Sequence, residues 1–112
     1  VDIYPTICDL CGIDAPKQQL DGKSLTPILR NPSRSVKREV YVQWQGGDNL
    51  QDQRYNYAEW LKSGNTMLFD HNADCDENAN VSGNADYAST VNRMSKDMKK
   101  VKKFAFRKKW DK

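Results

Sequence analysis

The stretch RYNYAEWLKSGNTMLFDH (residues 54–71) decides the fold. Along its first half, Tyr55, Tyr57 and Glu59 alternate with Arg54, Asn56 and Ala58, the period of two that a β-strand imposes. Ser63-Gly64 supplies a turn, and NTMLFDH (65–71) is a second run of strand length and composition. Upstream, REVYVQW (38–44) is rich in β-branched and aromatic residues, and Gly46-Gly47 supplies the next loop. Runs of this kind joined by short loops predict a small antiparallel meander of three to four strands. Downstream, Asn84 or Asp86 starts a helix that carries Tyr87, Val91, Met94 and Met98 at helical spacing and ends near Lys100. The sheet and this helix predict an α+β unit with one packed C-terminal helix.

Ahead of the sheet the period is helical. Asp2 is placed to cap a helix whose Ile3, Tyr4, Ile7, Leu10 and Cys11 share a face, with Pro5 in the first turn and Gly12 as its stop. Asp21-Gly22 is a turn signal, and Ser24 is placed to cap a short helix with Leu25, Ile28 and Leu29, ended by Asn31-Pro32. The chain therefore divides into a helical segment (1–35), an α+β subdomain (36–100) and a basic tail (101–112).

The chain has 112 residues and a formal charge of +3, enough to bury roughly two thirds of its unfolded surface. No apolar run approaches the ~18 residues of a membrane span. Charge is unevenly placed: residues 1–98 hold 10 Lys or Arg against 14 Asp or Glu, and residues 99–112 hold 8 against 1. The tail KKVKKFAFRKKWDK interleaves its cations with Phe104, Phe106 and Trp110, a composition that suits contact with a polyanion. It accompanies no nucleic-acid-binding fold, so nucleic acid is not expected as a partner, and a solvated terminus is the simpler reading.

Several motifs invite chemistry that their surroundings do not support. Cys8 and Cys11 form a CxxC inside an apolar helix rather than at the helix N-terminus where a redox pair sits, and read as buried thiols. Zinc would need two more ligands, for which His71 and Cys75 are a poor second pair. The alternating Asp70, Asn72, Asp74 and Asp76 imitate a calcium loop, but Cys75 replaces its glycine and Val81 its closing glutamate. A turn in which Asp74 or Asp76 accepts from nearby backbone amides is the expected structure. Asn80-Val81-Ser82 is a glycosylation acceptor sequence in a secreted eukaryotic context.

Four blocks, VDIYPTICDLCGI, LDGKSLTPILRNP, RYNYAEW and MLFDHNADCDENANV, together resemble, in order, the C-terminal part of type I sulfatases of the alkaline phosphatase superfamily, nearest the iduronate-2-sulfatase-like and choline-sulfatase-like members. Cys75 stands where relatives usually carry proline. The resemblance implies the C-terminal subdomain of an alkaline-phosphatase-like α/β enzyme that hydrolyses sulfate esters, on a sulfated carbohydrate. Its calcium and its formylglycine nucleophile would both lie in an N-terminal catalytic domain, leaving this chain inactive alone. Pro32-Ser33-Arg34 imitates the end of the formylglycine motif, but the nucleophile position falls on Arg30, so the stretch reads as a turn. No catalytic, cofactor-binding or metal-ligating residue is therefore expected here.

The N-terminal catalytic domain is the implied partner, with the first helix packing on it; in its absence Ile3, Ile7 and Leu10 are expected to lie open or to bury against another copy. Loops of such subdomains approach the mouth of the catalytic pocket, which makes the loop QGGDNLQDQ (45–53) and its neighbours the candidate substrate rim: Trp44, Gln45, Asp48, Asn49 and His71. An exported parent, periplasmic, extracellular or lysosomal, is implied as well. Two other classes of function stay open: a non-catalytic interaction or polyanion-binding module, and part of a related phosphate or phosphonate monoester hydrolase.

Overall fold

The computed structural model describes residues 1–14, 16 and 20–106, and side chains as far as residue 102. Two compact units are present, Val1–Arg38 and Glu39–Lys112.

The first unit pairs α1 (Ile3–Cys11) with α2 (Thr26–Arg30). Its packing is polar. Asp2 stands at the N-cap of α1, yet its carboxylate caps no amide of that helix; it accepts from the Lys23 backbone N–H at 2.8 Å and from Lys37 Nζ at 2.6 and 2.7 Å. The Lys37 ammonium and the Lys23 amide hold this carboxyl below its ordinary range. One and two turns further along the same face, Thr6 Oγ1 accepts from the Leu25 N–H at 2.9 Å and Asp9 accepts from Ser24 Oγ at 2.7 Å. Ser24 also accepts from the Thr26 N–H one position before the cap, which is Leu25. The opposite, apolar face of α1 is open: Ile3 is 66% exposed, Ile7 53% and Leu10 59%. Of the cysteines read as buried, only Cys8 is; Cys11 and Cys75 are exposed, and all three are free thiols.

Gly22 is required by contact rather than by conformation. A Cβ there would lie 2.0 Å from the Val1 carbonyl oxygen, so the Asp21-Gly22 turn closes only without a side chain. Gly22→Ala is expected to unseat the chain N-terminal to α1, at about 1–3 kcal/mol. Hydrogen exchange at the Leu25 amide, whose bond to Thr6 would loosen, reads the effect; an unchanged rate counts against it.

The second unit is a four-stranded antiparallel meander in the order β1 (Val40–Trp44), β2 (Gly47–Gln51), β3 (Tyr55–Trp60), β4 (Asn65–Asp70). The β3–β4 register pairs Tyr57 with Leu68 and Tyr55 with Asp70, as the alternation in residues 54–71 requires. The sequence reading has residues 45–53 as a loop, and there it is wrong: the loop shrinks to Gln45-Gly46, both at positive φ (47° and 77°), and Gly47–Gln51 is an interior strand bonded on both sides. GDNLQ carries no β-branched or aromatic residue, so the two flanking ladders override its weak strand propensity. A two-residue turn of this geometry matches the twist of its strands.

A single 3-10 turn at Ala85–Tyr87, with Asn84 accepting from the Asp86 N–H at 3.0 Å, leads into α3 (Ala88–Phe106). This helix runs six residues past the expected end near Lys100, because Val101 packs on the core and Lys102 bonds to Asp48. Leu50, Tyr57 and Leu68 from the sheet meet Met94 and Met98 from α3, with Tyr41, Tyr55, Val81, Tyr87, Val91 and Val101 around them. The outer edge of β4 is closed by side chains of the acceptor-like sequence. Asn80 accepts from the Leu68 N–H at 3.0 Å and donates to the Thr66 carbonyl at 3.1 Å, while the Val81 N–H bonds the Leu68 carbonyl at 2.9 Å. Residues 107–112, Trp110 among them, and the side chains of Phe104 and Phe106, on which the polyanion expectation rests, lie outside the described residues.

Candidate functional site

The sheet has two unlike faces, and its pleat sorts the candidate residues between them. Tyr41, Gln43, Asp48, Leu50, Tyr55, Tyr57, Glu59, Thr66, Leu68 and Asp70 share the face under α3, since each is opposite another of the set in the register. Asp48, expected on a substrate rim, is only 3% exposed on that inner face. Its carboxylate accepts from Tyr41 Oη at 2.6 Å, Gln43 Nε2 at 3.3 Å and Lys102 Nζ. Burial works to raise this carboxyl, but those bonds outweigh it and leave it below the ordinary range. Directly opposite on β3, Glu59 accepts from Tyr57 Oη at 2.9 Å and Ser95 Oγ at 3.0 Å. Burial and the Glu59 bond push the Tyr57 hydroxyl up to about 12. Asp48 thus serves the subdomain interior and is withdrawn from the rim.

At the far end of the same face Asp70 is 3% exposed and takes a two-pronged bond from Arg54 (2.8 Å twice), a bond from Tyr87 Oη at 3.1 Å and one from the Asn72 N–H at 3.1 Å. The Arg54 guanidinium, with help from the Asn72 amide and the Tyr87 hydroxyl, holds its carboxyl down at about 2. The Tyr55 ring is flanked by the Arg54 and Arg93 guanidinium groups at 4.8 and 5.6 Å, and Arg93 bonds Asp52 at 3.1 Å. Among the described residues every buried side-chain polar atom has a partner.

The outer face holds the other candidates, and they do not converge on one point. Trp44, 73% exposed, ends β1 beside the Gln45-Gly46 turn. Asn49 lies mid-sheet on the same face, and His71 follows β4 at the opposite end. A hydrogen-bonded chain nevertheless links the last two. Asn49 Nδ2 donates to Asn56 Oδ1 at 2.6 Å, Asn56 Nδ2 donates to Glu77 Oε1 at 2.7 Å, and His71 Nε2 lies 2.6 Å from the same oxygen. His71, then Asn56, holds the Glu77 carboxyl below its ordinary range. Glu77 sits at φ 56°, in the left-handed region, a conformation that this side-chain network maintains. Asn56 and Glu77 escaped the sequence reading: the period of two puts Asn56 outward beside Asn49 once β2 is a strand, but nothing local signals that Glu77 folds back onto it.

With Nε2 engaged by Glu77, the other ring nitrogen of His71 is placed to accept from a hydroxyl, or as imidazolium to donate to an anionic oxygen. The acidic turn does not form a cation cage. Asp74 accepts from the Ala79 N–H at 2.8 Å and Asn78 Nδ2 at 3.1 Å, as the turn reading expects, and Asp70 is committed to Arg54. No group of three or more His, Cys, Asp or Glu able to hold a metal occurs among the described residues, and no helix there is long and apolar enough to cross a membrane. Pro32-Ser33-Arg34 is a turn, with the Arg34 N–H bonded to the Asn31 carbonyl at 3.0 Å.

Comparison with known proteins gives this geometry its context. Residues 1–104 match the family model described as N-sulphoglucosamine sulphohydrolase, C-terminal. The chain is 48% identical over 54 residues to human N-acetylglucosamine-6-sulfatase, covering 46% of the chain and 10% of that protein. It is 31% identical over 101 residues to a Bacteroides thetaiotaomicron Delta 4,5-hexuronate-2-O-sulfatase, covering 81% of the chain and 21% of the relative. The chain therefore spans between a tenth and about a fifth of the length of these curated relatives. Among solved structures it superposes on a 2-O GAG sulfatase with a TM-score of 0.73 at 25% identity, over 89% of the chain and 23% of that one. A phosphonate monoester hydrolase from Silicibacter pomeroyi gives 0.68 at 26%, over 88% and 24%. With a family match over nearly its whole length and the four-stranded sheet and closing helix shared with those structures, the chain belongs to the type I sulfatase family, in its C-terminal part.

Proposed function

We propose that this chain is the C-terminal subdomain of an enzyme that hydrolyses sulfate esters of a sulfated carbohydrate. The family match over residues 1–104 carries this reading, and the sugar sulfatases among its relatives support the substrate class. The formylglycine nucleophile and calcium belong to the N-terminal catalytic domain that is the chain's principal partner. In that domain the formylglycine would supply the nucleophile and the calcium would offset the developing charge, and no residue of this chain is proposed to hold either. A sulfated polysaccharide as substrate places the parent in an exported setting. The 1–35 segment packs on the catalytic domain through the open face of α1 and the 36–100 segment stands beside the pocket, while the expected tail boundary at 101 moves outward, because Val101 packs on the core and Lys102 bonds Asp48 within α3.

Within this function the rim residues are Trp44 and Gln45 at the β1–β2 turn, with Asn49 and the His71–Glu77 pair across the outer face. Hydrolysis of an aryl sulfate by the parent enzyme, compared with the matching aryl phosphate, tests the reaction. Faster turnover of the phosphate moves the parent to the phosphate and phosphonate hydrolases that share the fold. Trp44→Ala in the parent is expected to raise the Michaelis constant for a sulfated sugar by roughly fivefold, the ratio set by losing about 1 kcal/mol of ring contact. A small aryl sulfate should be little affected. Equal change for both substrates removes Trp44 from the rim.

A further inference from the structure

Helix α3 divides its residues by side. Val91, Met94, Met98 and Val101 pack on the sheet, and the helical period carries Ser89, Asn92, Lys96, Lys99 and Lys100 to the opposite side, where all five are exposed. No Asp or Glu stands among them. Asp97 flanks this line and is shared between Arg93, at 3.8 Å, and Lys100, whose Nζ donates to it at 2.9 Å. Arg93 is in turn drawn toward Asp52 at 3.1 Å. Lys96 and Lys99 have no acidic partner among the described residues.

The helix itself gains nothing from this arrangement. Lys96 repels Lys99 at i,i+3 and Lys100 at i,i+4, the spacings at which opposite charges would add support. The helix dipole favours cations only in the last turn, whereas Lys96 and Lys99 stand about two turns or more before the end at Phe106. Long cationic stems often cover apolar surface, but these three point away from the core. Like charges that the fold neither pairs nor uses are the footprint of an anionic ligand. Their arrangement as an open line, with no buried polar group left unpartnered beside it, suits a polymer of repeating charge rather than one small anion.

We propose that Lys96, Lys99 and Lys100 on the exposed side of α3 form a binding surface for a sulfated polysaccharide. This rests on the reading of the parent as a hydrolase of sulfated carbohydrate, which brings a polymer of that chemistry to the enzyme. The side chains on the line favour it over nucleic acid: none is aromatic, so a base would find nothing to stack on, while sulfate groups need only the charge. Met94 and Met98, buried to 0% and 1% exposure, fix the helix on the sheet and so fix the spacing of the lysines. The contact with a polyanion thus belongs to a structured helix face, ahead of the terminal run of cations and aromatic residues.

Binding of a size-defined heparin oligosaccharide to the parent enzyme, titrated over a range of salt concentrations, tests the surface. The triple variant Lys96→Gln, Lys99→Gln, Lys100→Gln is expected to bind roughly tenfold more weakly at physiological salt. Its slope of log K against log salt should flatten by about 2, at ~0.7 counterions released per cation on a flexible polyanion. The corresponding triple arginine variant keeps the charges and should keep both values. The urea midpoint of the glutamine variant should not fall, because a repulsion is relieved. An unchanged slope in the glutamine variant overturns the proposal. A slope that flattens only on deletion of residues 107–112 overturns it in favour of the terminus, and lysine-dependent binding of a single-stranded oligonucleotide as tight as that of heparin overturns it in favour of nucleic acid. Aryl sulfate hydrolysis by the natural parent separates the two readings. A parent that binds heparin through the lysines but is inactive keeps the surface and loses the sulfatase assignment; an active parent whose slope ignores the lysines does the opposite.

Discussion

Lys102→Met is expected to lower the stability of the chain by about 3–5 kcal/mol, the effect of leaving one partner of a buried ion pair alone. Lys102 is the cation bonded to Asp48, and Asp48 is paired in register with Glu59. Without the ammonium, two buried carboxylates face each other with only the Tyr41 and Tyr57 hydroxyls, Gln43 and Ser95 to satisfy them. Adding Asp48→Asn to the Lys102→Met variant removes the orphaned charge and should recover most of the loss. Urea unfolding of the two single variants and the double variant completes the cycle. Additive single effects would show that Lys102 and Asp48 do not act together. In the parent enzyme Asp48→Asn should leave the Michaelis constant unchanged, since Asp48 faces α3; a substrate-specific rise would return it to the rim.

The second large effect centres on Asp70. Asp70→Asn removes the charge that receives Arg54 in two prongs and leaves the Tyr87 hydroxyl and the Asn72 amide with a weaker acceptor, a loss of about 2–3 kcal/mol at neutral pH. The pH dependence has a definite sign. The folded-state pKa of about 2 lies below the ordinary 3.8, so this group's contribution is fully present above pH 4 and is lost as pH falls from about 4 to about 2. The gap in stability between the natural chain and Asp70→Asn should therefore close across that interval. A gap that stays constant down to pH 2 would show that Arg54 does not hold the carboxylate ionised.

Much of the architecture was legible because the signals are local. Tyr55, Tyr57 and Glu59 share a face by period alone, and Tyr87, Val91, Met94 and Met98 do so at helical spacing. Gly12 ends α1 at φ 65° because few other residues adopt that conformation cheaply. β2 was illegible for the opposite reason: GDNLQ is a strand only because β1 and β3 bond it from both sides. That error carried into the candidate site, since a loop at 45–53 would present Asp48 to solvent, whereas a strand turns it inward.

The sequence by itself determined the periods, the turns and the family, because these rest on backbone preferences and on residue order. Which face of each element is inside was decided only by tertiary structure. In α1 the face turned inward is the polar one, Asp2, Thr6 and Asp9, and the apolar face stays open. In the sheet the charged residues lie under α3, and the uncharged face is the open one. Periodicity separates the two faces of an element but does not say which neighbour covers either. Bonds as distant along the chain as Lys37 to Asp2 and Lys102 to Asp48 made that choice.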